Sequence, residues 1–118
     1  VSNTITREKV LAKFVEDLFL EKFLSSIIFE FEWDEGNKFK NLMKHNVPYL
    51  EIEEVFEDFD LLPLGLQVFP KVEEARYGLL GKTKHGKKLF ISFTIRKESI
   101  RVISARRMHL KERNIYES

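Results

Sequence analysis

Three short runs, Arg76-Tyr77-Gly78-Leu79-Leu80-Gly81-Lys82, Leu89-Phe90-Ile91-Ser92-Phe93-Thr94-Ile95-Arg96 and Ile100-Arg101-Val102-Ile103-Ser104-Ala105-Arg106, decide the fold. They are joined by the polar turn segments Lys84-His85-Gly86-Lys87 and Lys97-Glu98-Ser99. Apolar runs of this length between such turns predict a β-meander of three consecutive strands. Downstream, the segment from His109 reads as a short polar helix carrying Leu110 and Tyr116. Upstream, the Pro and Gly residues between Phe59 and Val72 predict an irregular connection with a strand at Leu66 to Phe69.

Earlier in the chain the periodicity changes. Ile27, Phe29, Phe31 and Trp33 alternate with Glu30 and Glu32, the pattern of a half-buried strand. Asp34 is placed to cap a second helix with Phe39, Leu42 and Met43 inward, ending near Asn46 because Pro48 disfavours helical geometry at Val47. A short third helix follows with Ile52, Val55 and Phe56 inward. From Thr6 to about Ser25, apolar residues at three- and four-residue spacings predict an amphipathic first helix. The expectation is an α+β protein, an antiparallel sheet flanked by helices around one core.

The 118 residues suit one domain, and the absence of cysteine excludes disulfides and thiolate metal sites. No apolar run is long enough to span a bilayer and the start lacks a signal-peptide layout, so the expected location is the cytoplasm. The net charge of +1 conceals a division: residues 27–75 carry −8 and residues 76–118 carry +9. A basic half can gather phosphate oxygens and release counterions from nucleic acid. Equally, the two halves can face each other within the fold.

Two separated groups of motifs carry a resemblance. The first is Phe31-Glu32-Trp33-Asp34, then Asn41-Leu42-Met43-Lys44-His45-Asn46-Val47, then Glu54-Val55-Phe56-Glu57-Asp58. The second is Arg76-Tyr77-Gly78-Leu79-Leu80-Gly81, then Arg101-Val102-Ile103-Ser104-Ala105-Arg106-Arg107, with Glu112-Arg113 and Tyr116-Glu117 following. In this order they resemble the BrnT toxins, over about Phe29 to Glu117. Asn46 stands where that family mostly has glycine. The resemblance implies a RelE-like fold, metal-independent RNA cleavage without a cofactor, and a cognate BrnA-like antitoxin through which DNA is bound. It makes residues 27–118 the toxin domain and residues 1–26 an extra amino-terminal helical extension, which either packs on the core or serves an antitoxin groove or a homodimer.

Cleaving RNA without a metal needs a base for the 2′-hydroxyl, positive charge on the phosphorane and an acid for the leaving oxygen. Arginine suits the second task, since its fork binds two phosphate oxygens. Arg76, Arg101 and Arg106 are candidates, and strict alternation sets Val102, Ser104 and Arg106 opposite Arg101, Ile103 and Ala105 unless a bulge intervenes. Resemblance favours Arg106 with Arg76. His45 is the candidate base, with helix capping as its plain alternative. Lys44, Arg101, Ser104, Arg107, Glu112 and Tyr116 are candidate substrate contacts. Glu74, His85 and His109 read more simply as surface residues. Besides a ribonuclease, the chain could be a non-catalytic toxin-fold module binding an antitoxin-like protein or nucleic acid. A plain DNA-binding domain is weaker, because no helix-turn-helix with a basic recognition helix is readable.

Overall fold

A computed structural model describes residues 12–25 and 29–118. Its strands are β1 (Lys13–Val15), β2 (Glu30–Phe31), β3 (Leu62–Phe69), β4 (Tyr77–Lys82), β5 (Lys88–Arg96) and β6 (Ser99–Arg107). Its helices are α1 (Leu18–Leu24), α2 (Lys40–His45), α3 (Tyr49–Val55) and α4 (Leu110–Glu117). The described strands form one sheet in the order β1-β3-β4-β5-β6-β2. The meander is present as expected, its β5–β6 turn made by Lys97 and Glu98 at φ 50° and 69°. All pairings are antiparallel except β2 with β6, which is parallel and corrects the expectation of a purely antiparallel sheet.

One face of the sheet holds the main core. Tyr77 and Leu79 of β4, Leu89, Ile91 and Phe93 of β5, and Ile100, Val102 and Ala105 of β6 are buried there with Leu20 of α1, Ile52 and Val55 of α3, and Phe56. Each such large side chain contributes roughly 1.5–3 kcal/mol on burial. Val55 lies so close to Gly81 that a Cβ there would sit 2.6 Å from its Cγ1, so glycine lets the helix reach the strand. The opposite face carries a smaller cluster of Leu80, Phe90 and Met108, packed with Phe14, Leu62, Leu64 and Tyr116 of α4.

Several expectations are corrected. The long first helix is replaced, within the described residues, by strand β1 and a helix only seven residues long. Asp17 caps it by accepting from the Leu20 N–H at 3.0 Å; Thr6, where the expected helix begins, lies outside the described residues. The strand expected over Ile27 to Trp33 is reduced to Glu30–Phe31, although Phe29, Phe31 and Trp33 do pack on the core, and Ile27 is outside the described residues. Phe39, Leu42 and Met43 point outward, Met43 being 84% exposed, and the inward residue of α2 is Asn41. The reason is a polar bond at a sheet edge: the Asn41 carboxamide oxygen accepts from the Ala105 N–H at 3.0 Å. Asn46 ends that helix in the left-handed region at φ 58°, which explains an asparagine where a glycine would also serve. The irregular connection before Val72 contains the eight-residue β3, bulged between Pro63 and Gly65.

Candidate functional site

The register of β6 against β5 decides which side chains share a surface. Ser92 faces Ser104 but Phe93 faces Val102, so Ile103 is an extra residue on β6 and alternation changes phase there. Val102 and Ala105 are therefore buried together in the main core, and Arg101, Ser104 and Arg106 share the opposite face. This corrects the expectation that Arg101 and Arg106 diverge. The bulged residue is held from outside the sheet, because the Lys40 ammonium donates to the Ile103 carbonyl at 2.9 Å.

Three rows now cross the sheet on that face. Leu80, Phe90 and Arg106 form one, Gly78, Ser92 and Ser104 the next, and Thr94 with Arg101 the third. Tyr77 pairs with Phe93, so Arg76 continues the third row on the β4 side. Four residues separate Phe90 from Thr94, which at the usual strand rise is about 13 Å. Arg76 and Arg106 thus occupy opposite ends of one floor.

At the Arg106 end the guanidinium lies over the Phe90 ring, 4.4 Å from its centroid. It donates to both Glu112 oxygens at 2.8 and 3.0 Å and to the Arg107 carbonyl at 3.1 Å. Of its five N–H donors, two, on Nε and Nη2, have no partner among the described residues. Burial opposes ionisation of Glu112, but Arg106 and the His109 N–H outweigh it and the carboxyl titrates below its ordinary range. A cleft of about 460 Å³ opens beside this pair, lined by Phe14, Leu64, Phe90, Leu110 and Ile115. His45 and Lys44 sit exposed at the end of α2, whose neighbouring residue Asn41 is bonded to the same stretch of β6. Partial burial, then the positive charges of Lys44, Arg106 and Lys40, push the His45 imidazole below the ordinary histidine range. Both effects favour the neutral imidazole.

At the other end Arg101 is held by Asp34, at 2.9 and 3.3 Å, with Glu32 3.7 Å away. That hydrogen bond depresses the Asp34 carboxyl. Arg96 is held by Glu74 through two bonds of 2.8 Å, and Glu74 also feels Arg101 and Arg76. Arg76 makes no ion pair among the described residues. Among the described residues its Nε is buried without a hydrogen-bond partner, and so are the Ser92 and Thr94 hydroxyls on the floor.

Other expected site residues lie elsewhere. The Tyr116 hydroxyl donates to Asp58 at 2.5 Å, and Lys82 approaches Asp58, Asp60 and Tyr116 in the same network. Burial and Asp58 push the Tyr116 phenol up to about 12. Tyr116 thus fastens α4 to the loop after α3, one turn from Glu112. Exposed Arg107 joins Lys88 and Arg113 around a notch at Gly86. His85 and His109 are exposed.

The charge division is partly consumed inside the molecule, since Lys82, Lys87, Arg96 and Arg101 all pair with carboxylates from residues 27–75. Sequence reasoning passed over Ser92 and Thr94, although the alternation of β5 already set them opposite Ile91 and Phe93. Hydroxyls on the inner strand of a sheet were the available signal.

No curated protein matches the chain. The sequence model of the family described as "Ribonuclease toxin, BrnT, of type II toxin-antitoxin system" matches residues 33–112, a span that includes α2, α3, the meander and the first turn of α4. This chain belongs to the BrnT family of ribonuclease toxins.

Proposed function

We propose that the chain is a metal-independent endoribonuclease that cleaves RNA by 2′-hydroxyl attack at the sheet face that carries Arg106. Family membership implies an RNA target and an antitoxin partner. The observation that carries the finer reading is the bulge at Ile103, which brings Arg101, Ser104 and Arg106 onto one surface. His45 supports the role of base, because slight desolvation and positive neighbours favour its neutral, proton-accepting form. Arg106 supports the role of phosphorane stabiliser, because Glu112 orients its fork and leaves two donors for phosphate oxygens. Arg76, at the far end of the floor, holds the strand rather than the scissile group. The acid that protonates the leaving oxygen is His45 itself, in its imidazolium form, or water.

The antitoxin is BrnA-like in this reading, and DNA is contacted through the complex. The test is incubation of purified, antitoxin-free protein with RNA in a chelator. Products ending in 2′,3′-cyclic phosphate, with cleavage lost in His45→Ala, support the proposal. RNA that is bound but left intact points instead to a toxin-fold binding module.

A further inference from the structure

The floor of the arginine-bearing face holds a concentration of unsatisfied polar groups that cleavage at Arg106 does not use. Thr94 is 2% exposed and Ser92 5%, and neither hydroxyl has a hydrogen-bond partner among the described residues. The Arg76 Nε is in the same condition. Buried polar groups are nearly always paired, because an unpaired one loses its hydration without replacement. Three such groups on two neighbouring rows of one sheet face, on β5 and just before β4, mark a place suited to receive an acceptor. Thr94 pairs in register with Arg101, and Ser92 with Ser104, so a second guanidinium and a third hydroxyl border the same place. Donors of this kind, two hydroxyls and an arginine edge, suit a tetrahedral phosphate oxygen.

We propose that Arg76, Ser92 and Thr94 form a subsite for a phosphodiester of bound RNA, distinct from the phosphate at Arg106. The inference rests on the reading of this face as the RNA surface and adds its second phosphate contact. The separation along β5, about 13 Å from the Phe90 row to the Thr94 row, means that one phosphate cannot serve both ends. Both hydroxyls are covered, and the Phe14 ring lies over Gly78 in the Ser92 row, so the phosphate reaches them from the Thr94 side with a displacement of the side chains above that end. Arg101, tied to Asp34, stays in place as the wall of the subsite.

The probe is an oligoribonucleotide 2′-O-methylated throughout, which presents phosphodiesters but no nucleophile. In Thr94→Val, a near-isosteric change, stability to urea should be unchanged or raised, because an orphaned hydroxyl is removed. Binding of the probe should weaken about five- to ten-fold. Ser92→Ala should behave alike, and Thr94→Ser should restore binding. Arg76→Ala should also lower the slope of log affinity against log salt by about one phosphate contact. In the wild-type protein the methyl resonance of Thr94 should shift on titration with the oligonucleotide more than with inorganic phosphate at equal phosphate concentration.

Unchanged affinity in a folded Thr94→Val overturns the proposal and leaves a trapped water as the partner of these atoms. A shift with inorganic phosphate but none with the oligonucleotide overturns the assignment to RNA. The two readings fail separately. Probe binding that depends on Thr94, with no cleavage of ordinary RNA, sinks the nuclease and keeps the subsite. Cleavage indifferent to Thr94 and Ser92 does the reverse.

Discussion

His45 can act as a base only while it is neutral, and its neighbours favour that form. Burial, Lys44, Arg106 and Lys40 all disfavour the imidazolium, so the folded-state pKa lies below the ordinary histidine value. Cleavage should then be flat through neutral pH and fall only when pH drops below that range. A pH profile of the single-turnover rate checks this, and an acid limb at or above the ordinary histidine value counts against His45. His45→Ala should lower the rate about 100-fold or more and abolish the limb. At this scale the arginines were readable as chemistry but not as geometry. Counting by two sent Arg101 and Arg106 apart, and only the extra residue at Ile103 reunites them. A bulge leaves no mark in a run such as Arg101-Val102-Ile103-Ser104, because every residue in it tolerates a strand.

Elements supply the rigidity that the site needs. Helix α4 brings Glu112 to Arg106 and is fastened by Tyr116 to Asp58. Burial works against the Asp58 charge, but Tyr116, the Asp60 and Lys82 N–H groups and the Lys82 ammonium overcome it, so its folded-state pKa is depressed. The stability this contributes is present above the unfolded pKa and is lost as pH falls through the folded one. Tyr116→Phe should cost roughly 1.5–3 kcal/mol in urea denaturation. Asp58→Asn should flatten the acid side of the stability profile, and an unaltered profile would show that Asp58 does not govern it. Strand β3 makes a second test. Gly65 sits at φ 110°, where an added Cβ would lie 1.8 Å from the Val15 carbonyl oxygen. Gly65→Ala should cost more than about 1 kcal/mol and raise hydrogen exchange first in the β1–β3 pairing; exchange confined to β5 and β6 contradicts this placement. The same Gly65, with Pro63, hid β3 in the sequence, since both residues ordinarily break strands. Helix α2 misled for another reason. Its apolar residues suggested an inward face, but the unsatisfied edge of β6 claimed the polar Asn41 instead.

In the whole molecule, two opposite faces divide the work. One carries the apolar core under α1 and α3, and the other carries the arginines and hydroxyls together with Phe90, the surface proposed to meet RNA. The meander, the third helix and the last helix were legible because their patterns are local. The β1–β3 edge and the parallel β2–β6 pair were not, because they join segments far apart in sequence. Charge was half legible: the acidic and basic regions do meet, and ion pairs such as Arg101–Asp34 and Arg96–Glu74 remove part of the apparent field. Arg106 and Arg76 remain at opposite ends, and under the proposed function the first serves chemistry and the second grip. The most direct test is single-turnover cleavage of a labelled RNA by folded Arg106→Ala and Arg76→Ala proteins, with affinity measured alongside. Arg106→Ala should lose the chemical rate by about 100-fold or more while still binding, and Arg76→Ala should lose mainly affinity. Wild-type rates from Arg106→Ala would place the chemistry somewhere other than this face.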